Sequence, residues 1–152
     1  MPKFNKGVLL IAYNNGKIDY EKLAIVAASN VKRHMKNNHV TLLTDLNTYN
    51  ALQIELSMDQ LADTFDHIIV EDIEHERNTR MHRDSPWTEF STQFNNKNKH
   101  SIFQKSPYEQ TLMIDVDYIV GNDSLDVIFD TDYELAMYKD AVSVRNYKPR
   151  IW

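Results

Sequence analysis

The sequence predicts an α/β domain with a mostly parallel central sheet, and three observations support this prediction. Short apolar runs that contain β-branched residues recur along the chain, as is typical of strands buried on both faces. Segments with apolar residues at steps of three and four lie between these runs, as in amphipathic helices. The alternation of the two kinds of segment favours a parallel sheet. A length of 152 residues suits one domain, and we expect a single one over residues 1–152.

The first strand and the first helix are predicted within residues 7–35. Residues 7–13 form an uninterrupted apolar run, and the Asn-Asn-Gly sequence at 14–16 is a turn signal. Asp19 can cap the helix that follows. The apolar residues of this helix share one face, namely Tyr20, Leu23, Ala24, Ala27, Ala28, Val31 and Met35.

Two more strands and a short helix are predicted next. Residues 40–44 and 65–70 are rich in apolar and β-branched side chains, so each predicts a strand. Ser57 and Gln60 have the spacing of a capping box, which predicts the start of a short helix between the two strands.

The middle of the chain is more polar. Residues 71–87 are charged and broken by Pro86, and we predict a long loop there. Residues 88–103 are predicted to be helical, with three possible core contacts, Phe90, Phe94 and Phe103.

The fourth strand is predicted at residues 111–114, where it leads directly into Asp115. A short buried helix is predicted at 125–129, and two further strands are predicted at 133–138 and 141–144.

Polar residues follow the predicted strands at their carboxyl ends, at 13–14, 44–45, 70–71 and 115–117. Ligands of parallel sheets bind beyond the carboxyl ends of the strands, so we expect these four segments to converge on one crevice. The triplet Asp115-Val116-Asp117 places two carboxylates there. Close carboxylates repel each other, and a divalent cation relieves the repulsion. Oxygen ligands suit Mg²⁺ or Mn²⁺, and these ions keep positions open for phosphate oxygens.

The run at residues 106–120 resembles the metal-binding segment of GT-A-fold glycosyltransferases, and it is most similar to the family-eight-like group and to related bacterial and phage proteins. Residues 10–13, Tyr20 at the start of a long helix, and residues 40–45 agree with this resemblance, which covers about residues 7–130. It implies a Rossmann-like, nucleotide-diphospho-sugar-binding domain with a mostly parallel central sheet. It also implies transfer of a hexosyl or related sugar from a UDP- or GDP-sugar to an acceptor that the sequence does not identify.

The resemblance implies roles for residues on the nucleotide side of the site. Ala12 and Tyr13 would line the pocket for the base. Asp45 is a weaker candidate for that pocket, since an Asp after a strand is more often the cap of the next helix.

On the phosphate side, the resemblance implies that Asp115 touches the ribose and the metal region and that Asp117 ligates Mn²⁺ or Mg²⁺ directly. Lys99, in preference to Lys97, matches a basic position that faces the donor phosphates. No catalytic residue is assigned.

The chain departs from the family pattern after the triplet. The family usually continues well beyond it with an acceptor surface and another metal ligand, often a His. Here 35 residues follow Asp117 (118–152), and none is a His. We therefore expect the donor-binding part of a longer protein, or a short variant whose chemistry is incomplete.

Three alternatives remain open. A haloacid dehalogenase-type phosphatase also uses Asp-x-Asp, with the first Asp as nucleophile, but its motif normally opens the domain. A nucleotidyltransferase usually begins with a Gly-rich phosphate loop, which this chain lacks. A non-catalytic module that kept the fold for binding or for a structural role is the third.

Composition excludes several other classes. The net charge of −5 argues against binding to a nucleic-acid polymer. Three glycines are too few for a dinucleotide fingerprint or a P-loop. No apolar run approaches the ~20 residues of a transmembrane helix. The start has no signal-peptide pattern, so we expect a cytoplasmic protein.

Overall fold

A four-stranded sheet with all strands parallel is the centre of the structure, a computed structural model that describes residues 4–15, 17–71, 79–85, 88–93 and 102–132. The strands lie in the order β3-β2-β1-β6, and β4 and β5 form a separate antiparallel pair. The elements are, in chain order, β1 (Phe4–Ala12), α1 (Tyr20–His34), β2 (Val40–Asp45), α2 (Leu46–Glu55), α3 (Met58–Thr64), β3 (His67–Glu71), β4 (Thr79–Ser85), β5 (Thr88–Gln93), α4 (Ile102–Lys105), β6 (Tyr108–Asp115) and a 3-10 helix (Ser124–Asp130).

The prediction of an α/β fold with a parallel sheet is confirmed, and the strand order is consistent with a Rossmann-like fold. From β1 the chain moves outward to β2 and β3, and it then returns to β6 on the other side of β1. β1 is therefore central, and it pairs with β2 through Leu10–Leu42 and with β6 through Ile11–Asp115.

Successive side chains of β1 pack alternately into two hydrophobic clusters on opposite faces of the sheet, because the side chains of a strand alternate with a period of two. Val8, Leu10 and Ala12 are buried on the face that α1 covers. The side of α1 that meets them is lined by small residues, Ala24, Ala27, Ala28 and Val31. On the opposite face, Leu9 and Leu43 pack against Ile102 of α4, with Ile11 and Ile69 at the border.

Side-chain caps begin two of the helices. The carboxylate of Asp45 accepts a hydrogen bond from the Thr48 amide at 2.8 Å, so α2 starts as soon as β2 ends. Ser57 and Gln60 form the predicted capping box at α3. Asp19 lies at the N-cap position of α1, but its side chain binds Lys22 instead of capping the helix.

The predictions for the middle of the chain were partly wrong. Residues 79–85 and 88–93 are paired strands, whereas a loop was predicted at 71–87 and a helix at 88–103. Among the described residues, the predicted helix at 88–103 overlaps an observed helix only at 102–103, where α4 (Ile102–Lys105) begins. β-Branched and aromatic residues alternate with polar ones along β5, at Thr88, Phe90 and Thr92, and this period of two favours a strand.

Of the elements predicted after the triplet, the short helix at 125–129 is observed as the 3-10 helix Ser124–Asp130. Phe129 is buried, but Val127 is exposed. The strands predicted at 133–138 and 141–144 lie outside the described residues. No helix in the described part of the chain combines the length and apolar character that crossing a bilayer requires.

Candidate functional site

The carboxyl ends of β1 and β6 form the point where the strand order reverses. β2 and β3 lie on one side of β1 and β6 on the other, so the connections after β1 and after β6 leave the sheet at neighbouring positions. Ile11, the next-to-last residue of β1, is paired with Asp115, the last residue of β6. Open α/β sheets bind their ligands at such switch points. The topology thus brings the triplet beside the loop that follows β1.

Within the triplet, the two acids are exposed and the residue between them is buried. β6 alternates buried Leu112 and Ile114 with exposed Met113 and Asp115, and Val116 continues this pattern at 7% exposure. The amide of Tyr118 donates to the Asp115 carbonyl at 2.9 Å, which closes a turn directly after the strand. Val116 anchors this turn, and both carboxylates project from it at the surface.

The donor set of the triplet fits a hard divalent cation. Asp115 and Asp117 offer carboxylate oxygens, and Mg²⁺ is commonly bound by one or two carboxylates together with waters and phosphate oxygens. Over the described residues, no group of three or more His, Asp or Glu side chains is arranged to hold a metal. An ion at this turn would be held by Asp115 and Asp117, and the binding of Mn²⁺ or Mg²⁺ there stays a prediction.

Ala12 ends β1 and Tyr13 directly follows it, and the two side chains lie in different environments. The Ala12 methyl is buried in the core under α1, and its carbonyl accepts from the Thr44 hydroxyl at 2.8 Å. Tyr13 is only 8% exposed, and its hydroxyl donates to Glu71 Oε2 at 3.2 Å. Both residues lie at the carboxyl end of β1. Their predicted contact with a base stays a prediction.

Two asparagines shape the loop between β1 and α1. The Asn14 amide donates to the Thr48 hydroxyl at 2.7 Å, and the Asn14 side chain accepts from the Glu21 amide at 3.3 Å. The Asn15 side chain accepts from the amides of Lys17 and Ile18 at 3.0 and 2.9 Å. These bonds hold the loop against the first turns of α1 and α2. The sequence indicated the turn, but the part played by Thr48 was missed.

Asp45 is buried at the end of β2 and caps α2. The sequence-based interpretation of Asp45 as a helix cap is therefore confirmed. Its role in a base pocket stays a prediction, and any such role would be additional to the cap.

Glu71 and Lys105 form a pair that the sequence did not single out. The Lys105 ammonium contacts Glu71 Oε1, and the side chains of Glu71 and Lys105 are 10% and 34% exposed. Glu71 ends β3, whereas Lys105 ends α4, so the contact depends on the tertiary fold. The position of Glu71 at a strand end was the available signal. Lys97 and Lys99, predicted to face the donor phosphates, lie outside the described residues.

The sequence matches no protein-family model, and comparison with curated proteins finds no significant match. Proposals about function therefore rest on the fold and on the geometry at the carboxyl ends of the strands. The exposed triplet and the Tyr13–Glu71–Lys105 contacts are the two described features there on which those proposals depend.

Proposed function

We propose that this chain binds a nucleotide-diphospho-sugar through Mn²⁺ or Mg²⁺ and is the donor-binding part of a GT-A-type glycosyltransferase. One observation carries the proposal. The exposed carboxylates of Asp115 and Asp117 flank a buried valine at the switch point of a parallel sheet. A strand end with two carboxylates suits a metal ion, and a switch point suits a nucleotide.

The dimensions of the sheet support a nucleoside diphosphate as the ligand. Neighbouring strands are about 4.8 Å apart, so β3 and β6, with two strands between them, are separated by roughly 14 Å. Glu71 ends β3 and the triplet begins at the end of β6, whereas Tyr13 follows β1 and its hydroxyl reaches Glu71. An extended nucleoside diphosphate would span this edge with its base near Tyr13 and its phosphates near Asp117.

The metal ion would neutralise the charge that develops on the diphosphate as the sugar leaves. The chain's own contribution is to hold that ion with Asp115 and Asp117 and to orient the nucleotide along the edge of the sheet. Donor binding and sugar transfer are separable activities. The proposal assigns residues to the first, and it assigns no described residue to an acceptor site.

Titration calorimetry tests the binding proposal. The chain is titrated with UDP and with GDP, each with and without Mn²⁺, and Asp117→Ala is compared with the wild type. We expect binding of at least one nucleotide that requires Mn²⁺ and is lost in Asp117→Ala. Asp63→Ala is the matched control, since Asp63 is an exposed carboxylate on α3. It should bind as the wild type does.

Two outcomes would contradict the proposal: no metal-dependent binding of either nucleotide, or equal affinity in the Asp117→Ala variant. A donor-hydrolysis assay then separates an enzyme from a binding module, because a module binds the nucleotide-sugar without cleaving it. Covalent trapping of Asp115 by a phosphate mimic would instead favour the phosphatase alternative.

A further inference from the structure

We propose that Glu71 is a positioning residue that holds Tyr13 in place as the base-side wall of the site, and that Lys105 in turn holds Glu71. This inference rests on the proposed function, because it assigns the nucleoside end of the same crevice. It adds roles for Glu71 and Lys105, whose pairing the sequence did not predict. It also separates the nucleoside contacts from the phosphate contacts at the triplet.

The contacts form a chain across three elements. The Tyr13 hydroxyl, just past β1, donates to Oε2 of Glu71 at the end of β3. The other oxygen of the same carboxylate, Oε1, contacts the ammonium of Lys105 at the end of α4. One carboxylate therefore joins the loop after β1 to a helix that packs on the sheet through Ile102.

Burial explains why this carboxylate needs both partners. The Glu71 side chain is 10% exposed, and a charged group with so little water around it is costly unless it is paired and hydrogen-bonded. Lys105 balances the charge, and the Tyr13 hydroxyl completes the hydrogen bonding. At 3.2 Å this hydrogen bond is long for one to a carboxylate, but it still gives the hydroxyl one preferred partner.

The consequence for a ligand is preorganisation. Tyr13 is 8% exposed, so one small part of its surface is available to a ligand. The hydrogen bond at its far end already restricts the side chain, so a base that contacts Tyr13 does not have to immobilise it on binding. Glu71 acts through Tyr13 and is separated from the triplet by roughly the width of three strand spacings, about 14 Å.

The ion pair also bears on the role of Lys105. Its ammonium is engaged by Glu71 at the end of β3, whereas the triplet begins at the end of β6, the other outer strand of the described sheet. We therefore assign Lys105 to the support of Tyr13 and not to the diphosphate. Loss of either Lys105 or Glu71 should weaken recognition of the nucleoside and leave recognition of the diphosphate unchanged.

The test compares two probes on the whole chain by calorimetry in the presence of Mn²⁺: pyrophosphate, and whichever of UDP or GDP binds more tightly. The variants are Tyr13→Phe, Glu71→Gln and their double mutant. Each single variant should lose roughly two- to tenfold in nucleotide affinity, the cost of immobilising one side chain on binding. Pyrophosphate affinity should not change. The double mutant should lose no more than the larger single loss, because both changes break the same link.

Glu55→Gln is the matched control, since Glu55 forms an exposed ion pair with Lys22 on the surface. It should leave both affinities unchanged. Where Glu71→Gln fails to fold, Lys105→Met and Lys105→Arg probe the same link from its more exposed end. Lys105→Met should reproduce the selective loss of nucleotide affinity, and Lys105→Arg should largely restore it.

The inference is overturned if the variants lower the affinities for nucleotide and pyrophosphate equally, if nucleotide affinity is unchanged, or if the two single losses add in the double mutant. Its failure is distinguishable from failure of the proposed function. Wild-type binding of pyrophosphate with Mn²⁺, without a selective effect of the variants, removes the role of Glu71 and keeps the metal site. A wild type that binds neither probe removes both.

Discussion

At the scale of the residue, Tyr108 connects several groups near the amino-terminal ends of the strands. Its hydroxyl lies 2.7 Å from His39 Nδ1 and 2.7 Å from the Thr41 hydroxyl. Burial raises the pKa of Tyr108 to about 12; the hydrogen bond with Thr41 opposes this rise, and the charge of Asp66 adds to it. The hydroxyl therefore stays protonated at neutral pH. The ring lies directly against Gly7, where a Cβ atom would overlap it.

This close approach leads to a prediction about Gly7. We expect Gly7→Ala to lower the free energy of unfolding by about 1–3 kcal/mol, because the added methyl must displace a buried ring. Gly121→Ala is the control, since a Cβ there would meet no atom within 4 Å. Urea unfolding of the two variants checks this prediction. Equal midpoints for Gly7→Ala and the wild type would show that the ring moves aside at little cost.

A second residue-level prediction concerns the two lysines before β6. We expect Lys99→Ala to weaken the binding of pyrophosphate with Mn²⁺ more than Lys105→Ala does. The resemblance implies that Lys99 faces the phosphates, whereas the Lys105 ammonium is held by Glu71. Calorimetry with pyrophosphate isolates the phosphate contacts from those of the base. Equal losses in the two variants would remove Lys99 from the site.

At the scale of the element, the 3-10 helix after the triplet is tied to the end of α1 by one carboxylate. Asp126 accepts hydrogen bonds from the amides of Lys36 and Asn37 at 2.8 and 3.0 Å, and from the Asn37 side chain at 2.9 Å. Partial burial raises the pKa of Asp126, but these hydrogen bonds and the charge of Lys36 outweigh it, so the pKa lies below its usual 3.8.

Because the pKa of Asp126 is lowered in the folded protein, the free energy of unfolding should depend on pH. The ionised form is favoured in the folded state, so the contribution of Asp126 to stability is present above its unfolded pKa and is lost as the pH falls through the folded value. We expect Asp126→Asn to cost about 1 kcal/mol at pH 7, the scale of one hydrogen bond at a partly exposed site. The difference from wild type should shrink below about pH 4.

Urea unfolding at pH 7 and at pH 3 measures this effect. Asp130→Asn is the control, because Asp130 is an exposed acid in the same 3-10 helix. It should be close to neutral at both values. A loss in Asp126→Asn that is the same at pH 3 as at pH 7 would mean that the ionised carboxylate is not what stabilises the link.

Some helices and strands could be predicted from sequence patterns, and others could not. Buried strands and the long amphipathic helix were predicted because continuous apolar runs and a helical period have few other interpretations. For α2 only the cap, Asp45, was predicted and not the extent of the helix, since Asp45 both ends β2 and caps the helix without an intervening turn. The strand β5 was predicted to be helical, although the alternation at Thr88, Phe90 and Thr92 is typical of a strand.

At the scale of the whole molecule, the site is only partly encoded in local sequence. The triplet and the turn after β1 could be predicted because each is contiguous and follows an apolar run. The link from Tyr13 to Glu71 and Lys105 joins residues 58 and 34 positions apart (71 − 13 and 105 − 71). Such a link depends on the strand order and on the packing of α4, which alternation of helices and strands does not specify.

Overall charge adds a condition for binding. The chain carries a net charge of −5, and the triplet adds two carboxylates at the crevice itself. A diphosphate would meet repulsion there without a cation, which is the physical reason for expecting nucleotide binding to require Mn²⁺ or Mg²⁺.

The contact between the Tyr108 ring and Gly7 has a consequence at the other end of β6. β6 is eight residues long, with Tyr108 at its first position and Asp115 at its last. A slip of one residue against β1 would turn Asp115 to the face that α1 covers. A side chain at residue 7 would overlap the ring, so the glycine permits the close contact that accompanies this register. The Tyr108–Gly7 contact at the start of β6 therefore favours the register that places Asp115 beside Ile11 at its end.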